Sequence, residues 1–407
     1  MRLRARLSLF GMGLIAVAAM AAPALATELF DACAAVAASK YEPGYEGVGT
    51  VDIGNLSSFD AIEACGPALA DDPSNIQLKA WLGNAYAADD QPAKALPPLE
   101  DAAAAGSVVA LRALGDLLIL GKGVPQDLPR GTAMLTTAAE AGFAPAELSL
   151  AYSYDFGDGV PQDAATALKW YLAAADAGVA KAQLVVARRY RDGLGVERSD
   201  TEAFSWIKRA ADAGDAEGQY ELGRAYLEGR GVKASKPRAL ASFRASSEQF
   251  YGDGLNALGY MTQLGIGLDA DPVAAADLYS SAKSRNVPLG RHNLALLEED
   301  GTGVTPDAAD ARDLYLQAAR AGEPRAAVNL ALMYLSGAGG PADPAEALRW
   351  TRAAADAGNA AGLNNLGRLY ELGIGVDADA AKAREFYAQA AAEGYQLAEA
   401  NHARLGT

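Results

Sequence analysis

An apolar residue recurs every 36 residues through most of the chain, always seven residues before a Gly-x-Gly pair. It is leucine in seven copies and valine in one, and the next residue is always glycine or alanine. Alanine often stands four residues before it and tyrosine four residues after it, which is the spacing of one helix face. The pattern predicts a first helix, helix A, in each copy. These repeat residues are Leu114, Leu150, Val186, Leu222, Leu258, Leu294, Leu330 and Leu366.

A second helix, helix B, is predicted to follow each glycine pair. Asp or Ser stands six residues after the first glycine in every copy, and these side chains can accept a hydrogen bond from a helix-start N–H. Six copies end helix B at a glycine, as a left-handed C-cap requires. Phe250 and Asn286 replace that glycine in the other two copies, and phenylalanine adopts the left-handed conformation less readily than asparagine. Two interpretations stay open: drift in a tolerant array, or a kink or partner-specific surface near residues 247–255.

A constant period of this size indicates a stacked repeat array. The unit Ala-x-x-x-Leu-Gly-x-x-Tyr-x-x-Gly-x-Gly-Val, as at Ala182–Val196 and Gly362–Val376, resembles the Sel1-like repeat, a relative of the tetratricopeptide repeat. The resemblance is to the exported bacterial type. It implies an all-α fold, a right-handed α-solenoid of stacked antiparallel helix pairs, with eight repeats of 36 residues over 107–394.

The two ends of the array depart from this pattern. Residues 73–106 lack the glycine pair and are nearer to a tetratricopeptide repeat, so we expect them to form a capping repeat. Residues 395–407 are expected to form a short C-terminal capping helix, as the end of an array needs a polar outer face.

The segment 1–26 has the pattern of a secretory signal peptide. Arginines at 2, 4 and 6 precede an apolar run, and Ala24-Leu25-Ala26 matches a cleavage site. The alternative is an uncleaved membrane anchor, but the run is short for a membrane span. Export would place residues 27–72, an N-terminal segment, in an oxidising compartment. There Cys33 and Cys65, the only cysteines, can pair as a disulfide; two buried thiols are the alternative.

The formal net charge of −16 argues against nucleic acid or anionic lipid as a partner. The two histidines, His292 and His402, have no acid or cysteine at ligand spacing. No nucleophile elbow, zinc-protease or phosphate-loop motif occurs. We therefore predict no catalytic residue, no cofactor and no metal, and no stable membrane insertion once the signal is cleaved.

Partner-binding residues are expected on the inner wall of the array. If the helices stack as in tetratricopeptide arrays, side chains two and five residues after the repeat leucine, and two before it, point there. Arg188-Arg189-Tyr190-Arg191 with Arg224 would form a basic island, either for binding or paired with Asp192, Glu221 or Glu228. The predicted residues are Tyr152, Arg188, Arg191, Arg224, Asn256, Tyr260, His292, Asn364 and Arg368.

The resemblance implies a protein–protein interaction scaffold or adaptor, periplasmic or secreted, that regulates an envelope process or a membrane sensor. An alternative is an enzyme or binder acting on peptidoglycan or β-lactams, because a cysteine-rich branch of the family has been linked to β-lactam binding. That branch has a cysteine pair in each repeat, and this array has none.

Overall fold

The computed structural model describes residues 26–45, 48 and 56–405, which are almost entirely helical. These residues form two compact units, one ending at Ala213 and the other beginning at Gly214. The first unit contains ten helices among its described residues. They are α1 (26–37), α2 (Ser58–Asp71), α3 (Ile76–Ala88), α4 (Pro92–Ala104), α5 (Val108–Leu120), α6 (Leu128–Glu140), α7 (Ala144–Phe156), α8 (Ala164–Asp176), α9 (Ala180–Asp192) and α10 (Asp200–Asp212).

The second unit is built in the same way, from helices of equal length followed by one shorter helix. They are α11 (Ala216–Glu228), α12 (Lys236–Glu248), α13 (Gly252–Leu264), α14 (Pro272–Ser284), α15 (Pro288–Asp300), α16 (Ala308–Arg320), α17 (Pro324–Ser336), α18 (Pro344–Asp356), α19 (Ala360–Leu372), α20 (Ala380–Ala392) and α21 (Gln396–Leu405).

Within each unit, every A helix packs against the B helix that follows it, and each B helix packs against the next A helix. Several consecutive A helices also touch each other, as α3 does with α5 and α11 with α13. The predicted all-α solenoid of antiparallel helix pairs is therefore confirmed. Leucines, alanines and tyrosines fill the core, and repeat leucines such as Leu114 and Leu330 are fully buried.

The predicted helix ends match the structure. Asp163, for example, begins α8, and its side chain accepts hydrogen bonds from the amides of Ala165 and Thr166. Both glycines of the Gly-x-Gly pair have positive φ, as at Gly193 (73°) and Gly195 (74°). Only glycine adopts this conformation without a steric cost, which explains why the pair recurs in each repeat.

The two repeats without a C-cap glycine keep the left-handed residue after helix B. Phe250 and Asn286 have φ of 58° and 60°, in the left-handed region where glycine stands elsewhere. The flanking helices α12, α13, α14 and α15 keep the length of the other repeat helices. Neither α12 nor α13 is shortened or interrupted near residues 247–255. Phe250 occupies a disfavoured conformation with 61% of its surface exposed.

A disulfide joins Cys33 on α1 to Cys65 on α2, which confirms that pairing. The segment after α1 packs on the first unit, where the buried Glu42 carboxylate accepts hydrogen bonds from Trp81 and Gln77. The Tyr41 hydroxyl donates to the Gly178 carbonyl at 3.2 Å.

The predicted signal peptide lies outside the described residues except for its last position. Among the helices that the structure does describe, none combines the length and the apolar character needed to cross a membrane.

Candidate functional site

The predicted partner-binding residues all lie on A helices, and they divide between the two units. Tyr152 lies on α7, Arg188 and Arg191 on α9, Arg224 on α11, Asn256 and Tyr260 on α13, His292 on α15, and Asn364 and Arg368 on α19.

In the first unit, Tyr152 belongs to an aromatic cluster. Its ring stacks on Phe156, with centroids 6.3 Å apart, and meets the Tyr171 ring edge-on at 5.4 Å. The Lys181 ammonium lies 5.8 Å from the Tyr152 ring centroid. Arg191 donates from Nε to Asp192 at 2.9 Å, which is one of the pairings considered from the sequence.

Arg189, part of the predicted basic island, is buried in the first unit. Its guanidinium forms an ion pair with Asp155 and lies 4.9 Å from the Tyr171 ring centroid. It cannot present its charge to a partner in this conformation. The sequence held a signal for this, because the third residue after the repeat leucine is apolar in several other copies. Those residues include Leu117, Met261, Leu297, Met333 and Leu369.

In the second unit, Arg224 is also held by carboxylates of its own helix. Its guanidinium lies 3.3 Å from Glu221 and 3.6 Å from Glu228. The intramolecular pairing proposed as the alternative for the basic island is therefore present for Arg191 and Arg224.

Asn256, His292 and Asn364 are buried. Asn256 accepts a hydrogen bond from Asn293 at 2.9 Å, and Asn364 accepts one from Asn401 at 2.9 Å. In both pairs the donor is on the next A helix, so these asparagines join neighbouring repeats. Burial lowers the pKa of His292 to about 4, with a smaller effect from Arg325, so the imidazole is neutral at pH 7.

Tyr260 and Arg368 are exposed on the A helices of the second unit. Arg368 borders two adjoining cavities, of about 570 Å³ and about 390 Å³. The larger cavity is mostly apolar and lies between α17 and α19, where Leu332 and Leu372 are 50% and 54% exposed. The smaller one is polar and includes Glu371, whose carboxylate forms an ion pair with Arg404 at 2.5 Å.

A hydrogen bond between helix B and helix A recurs in four repeats. A tyrosine at the same position of each helix B donates to a side chain of helix A, five residues after the repeat leucine. The pairs are Tyr171 with Asp155 (3.1 Å), Tyr279 with Gln263 (2.8 Å), Tyr315 with Glu299 (2.9 Å) and Tyr387 with Glu371 (2.7 Å).

Four repeats lack this pair. Three of them have another large side chain in place of the tyrosine, Leu135, Ile207 or Phe243, and the fourth is the repeat around Leu330. Thr351 stands where the tyrosine would be, and Leu335 stands where the acceptor would be. Both residues line the 570 Å³ cavity. Sequence reasoning missed this site, although the change in two columns of the repeat was visible. In the part of the chain that the structure describes, no cluster of three or more His, Cys, Asp or Glu side chains could hold a metal.

Comparisons with known proteins agree with this architecture. The Sel1 repeat family model matches eight consecutive segments, at 108–143, 144–179, 180–215, 216–249, 252–287, 288–323, 324–359 and 360–395. No curated protein sequence matched the chain.

Two solved structures are similar over most of their length. A Sel1 repeat protein from Oxalobacter formigenes is 30% identical, with a TM-score of 0.57, over 73% of this chain and 88% of that one. The protein c5321, a protective antigen of uropathogenic Escherichia coli strains with an SLR fold, is 25% identical. Its TM-score is 0.52, and the match covers 98% of this chain and 91% of that one.

These matches indicate a protein–protein interaction scaffold, and they give no support to the alternative of a cell-wall enzyme. Eight tandem repeats, matched by the family model over more than half of the sequence, decide the classification: this chain belongs to the Sel1 repeat family.

Proposed function

We propose that this chain is an exported interaction scaffold, periplasmic or secreted, that binds a protein partner in an envelope process or at a membrane sensor. Its binding surface is the exposed side of the A helices in the second unit, which we call the A face. The observation that carries the proposal is the composition of this face. It exposes Tyr260, Leu332, Arg368, Leu372 and Leu397.

This composition favours a protein as the ligand. Exposed apolar side chains beside a cleft mark interaction sites when they occur together, and tyrosine and arginine are common in binding hot spots. Asn256 and Asn364 are buried beneath the A face and hydrogen-bonded to the next repeat. We infer that these two asparagines hold neighbouring A helices in register. They would then affect binding indirectly, by fixing the shape of the A face.

Two features support export. The segment 1–26 has the pattern of a secretory signal. The Cys33–Cys65 disulfide fits an oxidising compartment, because cytosolic proteins of most organisms keep their thiols reduced. Mass spectrometry of the protein recovered from the periplasm or medium should find a mature N-terminus at Thr27. A chain recovered only from the cytoplasm, with Met1 retained, would contradict export.

Affinity capture from envelope extract tests the binding surface. We expect the double variant Leu332→Glu, Leu372→Glu to retain at least tenfold less of the partner that the wild type enriches. Val273→Glu is the matched control, because Val273 is 59% exposed but lies on a B helix. Equal recovery by the double variant and the wild type would show that the A face does not bind the partner. Equal loss of the partner in the double variant and in Val273→Glu would also contradict binding at the A face.

A further inference from the structure

The cavity between α17 and α19 lies where four of the other repeats place a tyrosine ring. In those repeats the ring packs against the small residue that follows the repeat leucine. A Cβ atom added to Gly259 would lie 2.7 Å from the Tyr279 ring, and one added to Gly367 would lie 2.9 Å from the Tyr387 ring. Seven repeats fill this position with a large apolar or aromatic side chain, which is tyrosine in four of them and Leu135, Ile207 or Phe243 in the other three.

The repeat around Leu330 retains the surroundings of that ring but not the ring itself. Ala331 follows the repeat leucine and lines the cavity with Leu335 and Thr351. Threonine is too short to fill the space of a tyrosine. Because Leu335, five residues after the repeat leucine, is also apolar, the empty place has an apolar wall where the four tyrosine-containing repeats have an acceptor.

One polar group of the repeated arrangement remains. The Tyr315 hydroxyl of the preceding repeat accepts a hydrogen bond at 3.2 Å from Nδ2 of Asn329, which lies on the next A helix, α17. The equivalent residue one repeat later is Asn365 on α19, and it lines the cavity. Arg368, one turn further along α19, lines it too. Both side chains carry N–H donors, and Glu299, a hydrogen-bond acceptor that already receives the Tyr315 hydroxyl proton, also lines the cavity. A ligand group that can both accept and donate, such as a hydroxyl, matches this lining.

We propose that this cavity binds the side chain of a tyrosine presented by the protein partner. The ring enters between Leu332, Leu335 and Leu369, and its hydroxyl oxygen accepts a hydrogen bond from Asn365, as Tyr315 does from Asn329. The partner's tyrosine thus fills the space that the short Thr351 side chain leaves open. This inference rests on the proposed function, because it names the chemical group by which the partner is recognised.

Tyrosine fits this site better than phenylalanine or leucine. An apolar side chain would cover the Asn365 amide without accepting its hydrogen bond, and an unmet buried donor is costly. The cavity is open and larger than one ring. The segment that carries the tyrosine can therefore lie across the exposed Leu332 and Leu372.

Titration of the full-length protein with p-cresol, the tyrosine side chain without its backbone, tests the cavity directly. NMR should show saturable shifts at residues of α17 and α19, and p-cresol should bind several-fold more tightly than toluene. In the double variant Thr351→Tyr, Leu335→Gln, which copies the Tyr279–Gln263 pair, p-cresol binding should fall at least tenfold. Absence of saturable shifts, or unchanged binding in that variant, would overturn the proposal.

The single variant Asn365→Leu provides a second test if the double variant does not fold. It should remove the preference for p-cresol over toluene while leaving toluene binding intact. A preference that survives this change would rule out the Asn365 hydrogen bond. The urea midpoint of each variant checks that its fold is intact.

Capture from envelope extract separates this inference from the proposed function. If the wild type enriches a partner and Thr351→Tyr, Leu335→Gln recovers at least tenfold less of it, the tyrosine site is supported. Unchanged recovery would overturn the tyrosine site and leave the scaffold function standing. If the wild type enriches no partner, the scaffold function fails, whatever the result with p-cresol.

Discussion

At the scale of single residues, the backbone of each repeat is fixed more strictly than its side chains. Gly322 and Phe250 occupy the same place after helix B, and both have positive φ, 88° and 58°. The left-handed conformation brings a side-chain Cβ close to the backbone, which costs about 1–2 kcal/mol. Phe250 therefore carries a strain that its glycine counterparts avoid. The ring lies 5.3 Å from the Arg285 guanidinium, an exposed contact that offsets part of this cost.

Replacing Phe250 with glycine should stabilise the protein. We expect the free energy of unfolding of Phe250→Gly to rise by about 1 kcal/mol, because the strain is released and the lost ring is mostly solvent-exposed. Urea denaturation followed by circular dichroism measures this change. Gly322→Ala is the matched opposite change, at a site where an added methyl group meets no neighbouring atom, and it should lower stability by a similar amount. A lower midpoint for Phe250→Gly would show that the ring makes a net stabilising contact.

His292 should make stability depend on pH. Its pKa is lowered to about 4 by burial, from an ordinary value near 6.5, so the unfolded chain binds this proton more readily than the folded one. The neutral imidazole makes its full contribution to the free energy of unfolding above pH 6.5. This contribution is lost as pH falls towards 4. Between pH 7 and pH 5 we expect a loss of about 2 kcal/mol.

The comparison that isolates this effect is between the wild type and His292→Gln. Their urea midpoints should be compared at pH 7, 6 and 5, and the variant should show the flatter dependence. Parallel pH profiles would mean that His292 is readily protonated in the folded protein.

At the scale of helices, the last A helix is held by side chains that reach back to α19. Arg404 on α21 donates to both carboxylate oxygens of Glu371, and Asn401 donates to Asn364. The hydrogen bond from Arg404 lowers the pKa of Glu371, and the hydrogen bond from Tyr387 lowers it further. The end of the array is thus joined to the repeat before it by charge as well as by packing.

Arg404→Gln should destabilise the protein at neutral pH and much less in acid. A carboxylate with a lowered pKa contributes its stability above its ordinary pKa, near 4.3, and loses it as pH falls through the folded value. The difference in urea midpoint between wild type and Arg404→Gln should therefore shrink steadily from pH 7 to pH 3. Arg384→Gln, an exposed change on α20, serves as the control. A difference that stays constant with pH would exclude Glu371 as its source.

The helices could be predicted from sequence because their boundaries depend on local chemistry. Gly193 ends a helix because glycine adopts the left-handed conformation, and Asp163 begins one because its side chain caps free backbone amides. Neither effect depends on neighbouring repeats. Arg189 and Thr351 are different. Arg189 pairs with Asp155 of another helix, and Thr351 forms a cavity together with residues of other helices. These contacts exist only when the repeats are stacked. Comparing each column of the repeat, rather than each copy, would have identified both.

At the scale of the whole molecule, a repeat array transmits a local change mainly to its nearest repeats. The Cys33–Cys65 disulfide closes a segment whose ends are 32 residues apart, and it fixes α1 to α2 at the start of the first unit. Cross-linking a segment of this length stabilises the fold by about 4 kcal/mol in the chain-entropy treatment. Core residues of this region, including Trp81, pack with the two cysteines in one cluster.

The double variant Cys33→Ala, Cys65→Ala should therefore lose stability locally. We expect amide hydrogen exchange, followed by mass spectrometry, to accelerate at least tenfold in peptides from α2, α3 and α4. Peptides from α17, α18 and α19 should exchange as in the wild type, because several repeats separate them from the disulfide and each repeat depends on its immediate neighbours. The control is the wild type under reducing conditions, which should reproduce the variant. Equal acceleration at both ends of the chain would mean that the array unfolds as one cooperative body. In that case a partner bound on the A face would also protect the distant N-terminal helices.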